Sequence, residues 1–161
     1  MDAKPLTHEQ ILTMLAAGPE RLAAITAGVS PARLVAPPAP GEWSPRDVLA
    51  HMRTCGDMWG QAIARILNED HPTFTAVNPR TWSKQTDYLS LAFQPSLAAF
   101  AAQRAELLDM LRPLSPEGWD RAATVKVAGK PLERTVYYYA HWLATHERPH
   151  VKQIARAVEA D

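Results

Sequence analysis

The sequence predicts an all-α fold, an antiparallel four-helix bundle with proline-rich connections, in one domain that covers residues 1–161. A chain of 161 residues is close to the usual size of one domain and can bury a core without disulfides. Many of its 14 prolines crowd three connections, at 37–45, 72–79 and 113–116, with proline-poor segments around them. Strand signals are scarce, and helices that each have one apolar face close most simply as a bundle.

The first two helices are predicted from their start signals. Thr7 is followed three residues later by Gln10, which is the pattern of a capping box, and apolar residues then recur at helical spacing. The second helix should run from Pro45 to about Asp70, because Ser44 is a good N-cap, proline suits the first helical position and an aspartate stands three residues after the cap.

The second half of the chain predicts two more helices and a short extended piece. A helix is expected from about Pro95 to Leu111, with one apolar stripe. Residues Thr124–Val127 alternate in polarity before a glycine, which is typical of an extended segment. The last helix is then expected from about Leu132 to Ala160.

Charge and cysteine content exclude several classes of protein. The chain has 17 Lys and Arg against 17 Asp and Glu, so it lacks the basic charge expected of a protein that binds nucleic acid or an anionic membrane. It has no apolar run long enough to span a membrane and no apolar stretch at its start, so we expect a cytoplasmic protein. The single cysteine, Cys55, cannot form an internal disulfide.

Three histidines are expected to meet inside the bundle. An apolar stripe centred on Leu143 places His146 and His150 at about 60° and 20° from its centre, one helical turn apart, where two imidazoles can share one metal ion. His51 lies two turns into the second helix, at the edge of that helix's stripe. If the two helices are antiparallel, the three side chains come level. The spacing is suggestive of a metal site, and hydrogen-bonded core histidines are the alternative.

Four further residues are candidates for the site. Glu147 could act in the cavity as a catalytic acid or base, or it could pair with an arginine such as Arg104. Cys55 follows the first of the three histidines by one turn and could be a ligand or a nucleophile, although a small buried core residue is the commoner role of cysteine. Trp59, Tyr139 and Cys55 are the candidates for the wall of a substrate pocket, although aromatic residues at helical spacing are more often core.

Residues 146–150 read HERPH and match the HExxH pattern of zinc metalloproteases. Such an enzyme needs a third ligand, yet the eleven residues after His150 contain no histidine and no carboxylate before Glu159. Pro149 also removes a helical hydrogen bond inside the motif. The protease interpretation is therefore disfavoured.

Two segments of the chain together resemble the DinB family, in its DinB-like or YfiT-like metal-binding branch. They are WSPRDVLAHM at 43–52 and HERPHVKQI at 146–154. In that family a tryptophan–serine entry precedes the helix with the first histidine, and the last helix carries a HxxxH pair followed by a glutamine. The resemblance implies a four-helix bundle and makes His51, His146 and His150 the metal triad, with zinc or nickel as the usual ion.

The resemblance also implies what such a centre does. Three imidazoles on one ion leave an open coordination position, which is the arrangement of catalytic zinc sites. We therefore expect a divalent-metal-dependent enzyme that activates water or a low-molecular-weight thiol on a small-molecule substrate, as a hydrolase, thiol S-transferase or isomerase. Members of the family include bacillithiol S-transferases and mycothiol-dependent isomerases. The alternative is a non-catalytic bundle that binds a metal or small molecule, and relatives often form homodimers.

Overall fold

The computed structural model describes residues 4–160, in which four long helices form the frame. The α-helices are, in chain order, α1 (His8–Thr26), α2 (Pro31–Val35), α3 (Pro45–Asn68), α4 (Pro79–Ser83), α5 (Phe93–Leu111), α6 (Pro116–Trp119) and α7 (Val136–Glu159). A 3-10 turn at Tyr88–Ser90 lies between α4 and α5. The bundle consists of α1, α3, α5 and α7.

Both predicted helix starts are confirmed by their capping hydrogen bonds. At α1, the side chain of Thr7 accepts from the backbone N–H of Gln10 at 3.1 Å, and the Gln10 side chain accepts from the backbone N–H of Thr7 at 2.8 Å. Ser44 and Asp47 form the same reciprocal pair at α3, at 3.1 and 3.0 Å. A side-chain cap contributes about 1 kcal/mol to a helix. The cap at α3 fixes the first turn of this helix, and His51 lies about two turns after the cap.

The helices α3 and α7 run antiparallel, as the expected meeting of the histidines requires. Trp43, just before α3, lines one cavity with Arg156 near the end of α7. Arg65, near the end of α3, lines another cavity with Tyr138 near the start of α7. Both α1 and α3 pack against α5 and α7, which closes the bundle.

The apolar core is divided into two clusters by a layer of polar side chains. On α5, Leu107 belongs to one cluster and Phe100 to the other, and the buried Arg104 lies between them. On α7, Leu143 and Ile154 belong to the same two clusters, and the predicted histidine pair lies between them. Buried polar groups are costly unless they find partners, so this layer must satisfy its own hydrogen bonds or bind something that does.

A small three-stranded sheet lies outside the bundle. Its strands are β1 (Thr73–Thr75), β2 (Ala122–Val127) and β3 (Lys130–Thr135), in the order β1-β2-β3. The pair β1–β2 is parallel and the pair β2–β3 is antiparallel. The hairpin turn is Ala128–Gly129, whose φ angles of 50° and 79° suit a two-residue turn between twisted strands.

The sheet corrects the prediction of a strictly all-α fold. The extended piece predicted at Thr124–Val127 is confirmed as part of β2, but Leu132–Thr135, predicted as the start of the last helix, is part of β3. These residues pair with β2 across the hairpin, and such a partner is invisible in a local helical pattern. Thr135 then caps α7, since its side chain accepts from the backbone N–H of Tyr138 at 3.0 Å.

Some predictions about the whole chain are not tested by the structure of residues 4–160. None of the helices within residues 4–160 is long and apolar enough to cross a membrane. The predicted single domain of residues 1–161 includes residues 1–3 and 161, which lie outside the described residues, and it stays a prediction. The cytoplasmic location also stays a prediction.

Candidate metal centre

Three imidazole rings meet in the polar layer between α3 and α7. Nε2 of His146 lies 3.4 Å from Nε2 of His51 and 3.2 Å from Nε2 of His150. The ring centroids of His51 and His150 are 4.9 Å apart. The antiparallel pairing of the helices brings the first ring level with the other two, which project from successive turns of α7. The structure thus brings together all three histidines of the predicted triad.

The spacing of these nitrogens fits donors that share one ion. A zinc–imidazole bond is about 2.0–2.1 Å long, so two nitrogens on a tetrahedral ion stand about 3.3 Å apart. The observed separations from His146 Nε2 are 3.2 and 3.4 Å. Hydrogen bonds explain this arrangement less well, because one N–H on His146 Nε2 can point at only one of its two neighbours. A single cation, by contrast, could accept one lone pair from each ring.

The side chain of Gln153 orients the proton of His150. Its Oε1 lies 3.1 Å from His150 Nδ1, so the Nδ1–H donates to this oxygen and leaves the lone pair on Nε2 facing the other histidines. A hydrogen bond to the outer nitrogen of a ligating imidazole is the usual way in which proteins fix its tautomer. The glutamine of the sequence motif therefore has a physical role at the centre.

The ring of His146 is held by an aromatic stack. Trp142, one turn earlier on α7, lies parallel to it with ring centroids 4.1 Å apart and an interplanar angle of 20°. Nδ1 of His146 is buried and has no hydrogen-bond partner among the described residues. Trp142 is absent from the sequence-derived candidates, although its spacing of four residues from His146 indicates that the two side chains are neighbours.

Burial favours the neutral form of the imidazoles of His51 and His146. Burial, followed by the charge of His150, lowers the pKa of His51. Burial, followed by the charges of His150 and His51, lowers the pKa of His146 to about 4. Metals bind neutral imidazole, so at neutral pH both rings are in the form that a metal requires.

Cys55 lies beside the histidines, one turn after His51 on α3. Its Sγ is 3.6 Å from His51 Nε2, and the donor atoms of His51, Cys55 and His146 all lie within 4.8 Å of one another. The residue is 1% exposed and lines neither of the two cavities described below. Burial, followed by the charge of Glu147, raises the pKa of the Cys55 thiol to about 12. Without a bound ion, the sulfur is therefore protonated at neutral pH.

Glu147 forms a buried ion pair with Arg104. Arg104 Nη1 donates to Glu147 Oε2 at 2.9 Å and Nη2 donates to Oε1, while Nη1 also donates to the Leu15 carbonyl at 2.9 Å. Gly18 on α1 leaves room for the carboxylate, since a Cβ there would come within 2.9 Å of Oε2. Of the two roles predicted for Glu147, the arginine pair is the one that the structure shows. The acid–base role stays a prediction.

One open cavity reaches the histidines. It has a volume of about 700 Å³, and its lining includes His150, Trp43, Glu42 and Arg156. Trp43 is 46% exposed, and its ring lies 5.5 Å from that of His51 between centroids. A cleft of this size suits a small molecule. The cavity therefore gives a solute access to one edge of the cluster.

Two of the predicted pocket residues, Trp59 and Tyr139, line a different cavity. This cavity has a volume of about 320 Å³, includes Trp82 in its wall and is lined by none of the three histidines. Trp59 is nevertheless linked to the centre, because its ring lies 3.8 Å from that of Trp142, which stacks on His146. These aromatic residues therefore support the cluster from the side of the sheet.

Solved structures of other proteins share the four-helix-bundle fold of this chain. YfiT from Bacillus subtilis, described as "a probable metal-dependent hydrolase with an unusual four-helix bundle topology", superposes with a TM-score of 0.79 at 18% identity, over 99% of this chain and 91% of that one. TT2238, a four-helix bundle protein, superposes with a TM-score of 0.64 at 24% identity, over 92% and 98%. No curated protein sequence matches the chain. The family model of the DinB superfamily matches residues 14–154, most of the chain, and this protein therefore belongs to the DinB superfamily.

Proposed function

We propose that this protein is an enzyme that binds one divalent ion, zinc or nickel, through His51, His146 and His150. The ion activates water or a low-molecular-weight thiol for hydrolysis, group transfer or isomerisation of a small substrate. The observation that carries the proposal is the pair of Nε2–Nε2 separations, 3.2 and 3.4 Å, which match two donors on one ion. Membership of the DinB superfamily and the likeness to YfiT, described as "a probable metal-dependent hydrolase", support it.

The surrounding residues prepare the site for that chemistry. An ion held by three neutral imidazoles acts as a Lewis acid and lowers the pKa of a water or thiol bound to it. Gln153 holds the proton of His150 on Nδ1, and Trp142 holds the ring of His146, so the donor nitrogens are preorganised. The cavity next to His150 is the approach for the substrate. Its wall carries Arg156 and Glu42, which suit a small thiol or substrate with charged groups.

Metal-dependent turnover tests this proposal. The protein is stripped with a chelator, reloaded with zinc or nickel, and assayed with an activated ester and with a small thiol plus an electrophilic haloarene. We expect turnover of one probe that chelation abolishes and reloading restores. His51→Ala should be inactive, while His141→Ala, a histidine of α7 outside the cluster, should match the wild type. Turnover that survives chelation would contradict the proposal.

One observation favours a second candidate, a non-catalytic metal-binding bundle. The sulfur of Cys55 is close enough to His51 to offer a fourth protein donor, at 3.6 Å from Nε2. Four protein donors close a tetrahedral site, as in structural zinc centres. This candidate predicts that the loaded protein is more stable than the metal-free form but inert towards both probes. The homodimer expected from the family resemblance belongs with it, and light scattering in solution tests that assembly.

A further inference from the structure

We infer that Cys55 is a fourth metal donor, so that the centre of this chain offers three imidazoles and one thiolate. The inference rests on the metal site proposed above. A zinc–sulfur bond of about 2.3 Å and a zinc–nitrogen bond of about 2.0–2.1 Å place the two donors about 3.6 Å apart on a tetrahedral ion. Cys55 Sγ lies 3.6 Å from His51 Nε2.

Cys55 and His51 lie four residues apart on α3, so the geometry of this helix places their side chains next to each other. Residues four apart project from the same face, so Cys55 and His51 both point towards α7. The donor atoms of these two residues and of His146 lie within 4.8 Å of one another. His150 is not part of that group and is tied to it through His146, whose Nε2 lies 3.2 Å from His150 Nε2. Because Cys55 is 1% exposed, its sulfur approaches the cluster from the core, whereas the open cavity approaches it at His150.

The alternative is a buried core cysteine whose thiol donates to His51. A hydrogen bond from the thiol explains one contact of His51 Nε2 but leaves its second contact, with His146, unexplained. Nε2 of His51 lies 3.6 Å from Cys55 Sγ and 3.4 Å from His146 Nε2, and a ring nitrogen has either one proton or one lone pair to offer. One cation at the centre of the cluster satisfies both neighbours. When it binds, the S–H bond breaks, the proton passes to the buffer and a sulfur–metal bond forms.

A thiolate donor changes which ions the site prefers. Thiolate and imidazole together favour zinc, cobalt and their neighbours over magnesium or calcium, which prefer oxygen. Four protein donors also fill a tetrahedral shell, so the resting centre of this chain is more closed than a three-histidine centre. Turnover at such a centre would need a fifth coordination position, to which catalytic zinc can expand, and without it the centre is that of the non-catalytic second candidate. Removal of Cys55 should therefore open a position on the ion while the three histidines still hold it.

Cobalt(II) is the probe that distinguishes the two donor sets. Metal-free wild-type protein is titrated with cobalt and followed in the near ultraviolet, where a thiolate ligand gives an intense charge-transfer band, and in the visible, where the bound ion absorbs whatever its donors. We expect both bands in the wild type. Cys55→Ser should bind cobalt at least about tenfold more weakly and lack the charge-transfer band, because the loss of a donor should cost no less than the loss of an outer-shell contact. Met58→Leu, which removes another buried sulfur of α3, should keep the charge-transfer band of the wild type.

The outcomes separate this inference from the proposed function. Cobalt binding by the wild type without a charge-transfer band overturns the inference and leaves the three-histidine site in place. No cobalt binding by the wild type overturns both. X-ray absorption at the zinc edge of the loaded wild type needs no variant, so it decides the question even if Cys55→Ser does not fold. A sulfur scatterer at about 2.3 Å confirms the inference, and a shell of nitrogen and oxygen alone overturns it.

Discussion

The ion pair between Arg104 and Glu147 allows a quantitative test of the polar layer. Glu147→Ala removes the carboxylate and leaves the guanidinium, which remains charged in proteins, in a place where Arg104 is 2% exposed. Among the described residues, its remaining hydrogen-bond partner is the Leu15 carbonyl, at 2.9 Å. Loss of one partner of a buried pair costs about 3–5 kcal/mol because the other charge is left uncompensated. Since small domains are stable by about 5–15 kcal/mol, this variant should lose a large fraction of its stability.

Urea unfolding of the metal-free protein, followed by circular dichroism, measures this loss. The double variant Arg104→Met/Glu147→Leu should recover much of it, because apolar residues of similar volume often replace a buried ion pair at little cost. Arg65→Ala is the matched control, since its pair with Glu69 is exposed, with side chains 43% and 46% accessible, and should matter little.

The same experiment separates the two roles of Glu147. If Glu147→Ala unfolds within about 1 kcal/mol of the wild type, Arg104 is not held as an uncompensated buried charge and the reasoning from burial is refuted. A stable Glu147→Ala protein that binds zinc but has lost turnover would instead support the acid–base role predicted from the sequence.

Three further predictions concern the same layer. Gly18→Ala would bring a Cβ to 2.9 Å from the carboxylate that Arg104 holds in place, a clash of about 1–3 kcal/mol that the gain of about 1 kcal/mol from alanine in a helix offsets only in part, so urea unfolding should show a net loss. Gly60→Ala, with open space at its Cβ, should be neutral or stabilising, and equal effects would contradict the packing argument. The pKa of His146 is lowered to about 4, so its contribution to the stability of the metal-free protein is present above pH 6.5 and is lost as the pH falls through 4. For this partly solvated ring we expect a loss of about 1–2 kcal/mol in the free energy of unfolding, measured by urea unfolding at a series of pH values. His146→Gln should reduce this loss. Gln153→Ala should weaken zinc binding about 10–100-fold in a competition titration, while Lys152→Ala, its exposed neighbour, should leave it unchanged.

The features that could be predicted from the sequence are those that local chemistry determines. Thr7 and Ser44 start their helices through hydrogen bonds to residues three positions away, and these pairs are visible in the sequence. The meeting of His51 with the pair on α7 needed one further assumption, antiparallel helices, after which the rise of about 1.5 Å per residue brings them level.

The features that escaped prediction depend on distant parts of the chain. Leu132–Thr135 suits a helix by itself and becomes a strand because β2 lies beside it. The position of Cys55 on the histidine side was predictable, but its distance from His51 depends on the rotamers of both side chains and on how closely α3 approaches α7. The continuous polar layer is a property of the assembled bundle, in which Gly18, Arg104 and Glu147 come from three different helices.

The most direct test of the three-histidine centre is elemental analysis of untagged protein purified without added metal. Wild type and His141→Ala should each carry about one zinc or nickel ion per chain, as expected for one shared site. His51→Ala and His150→Ala, both shown to be folded by circular dichroism, should have lost the ion. Full retention of the metal in these two variants, or a wild type that neither carries nor takes up zinc or nickel, would contradict the account.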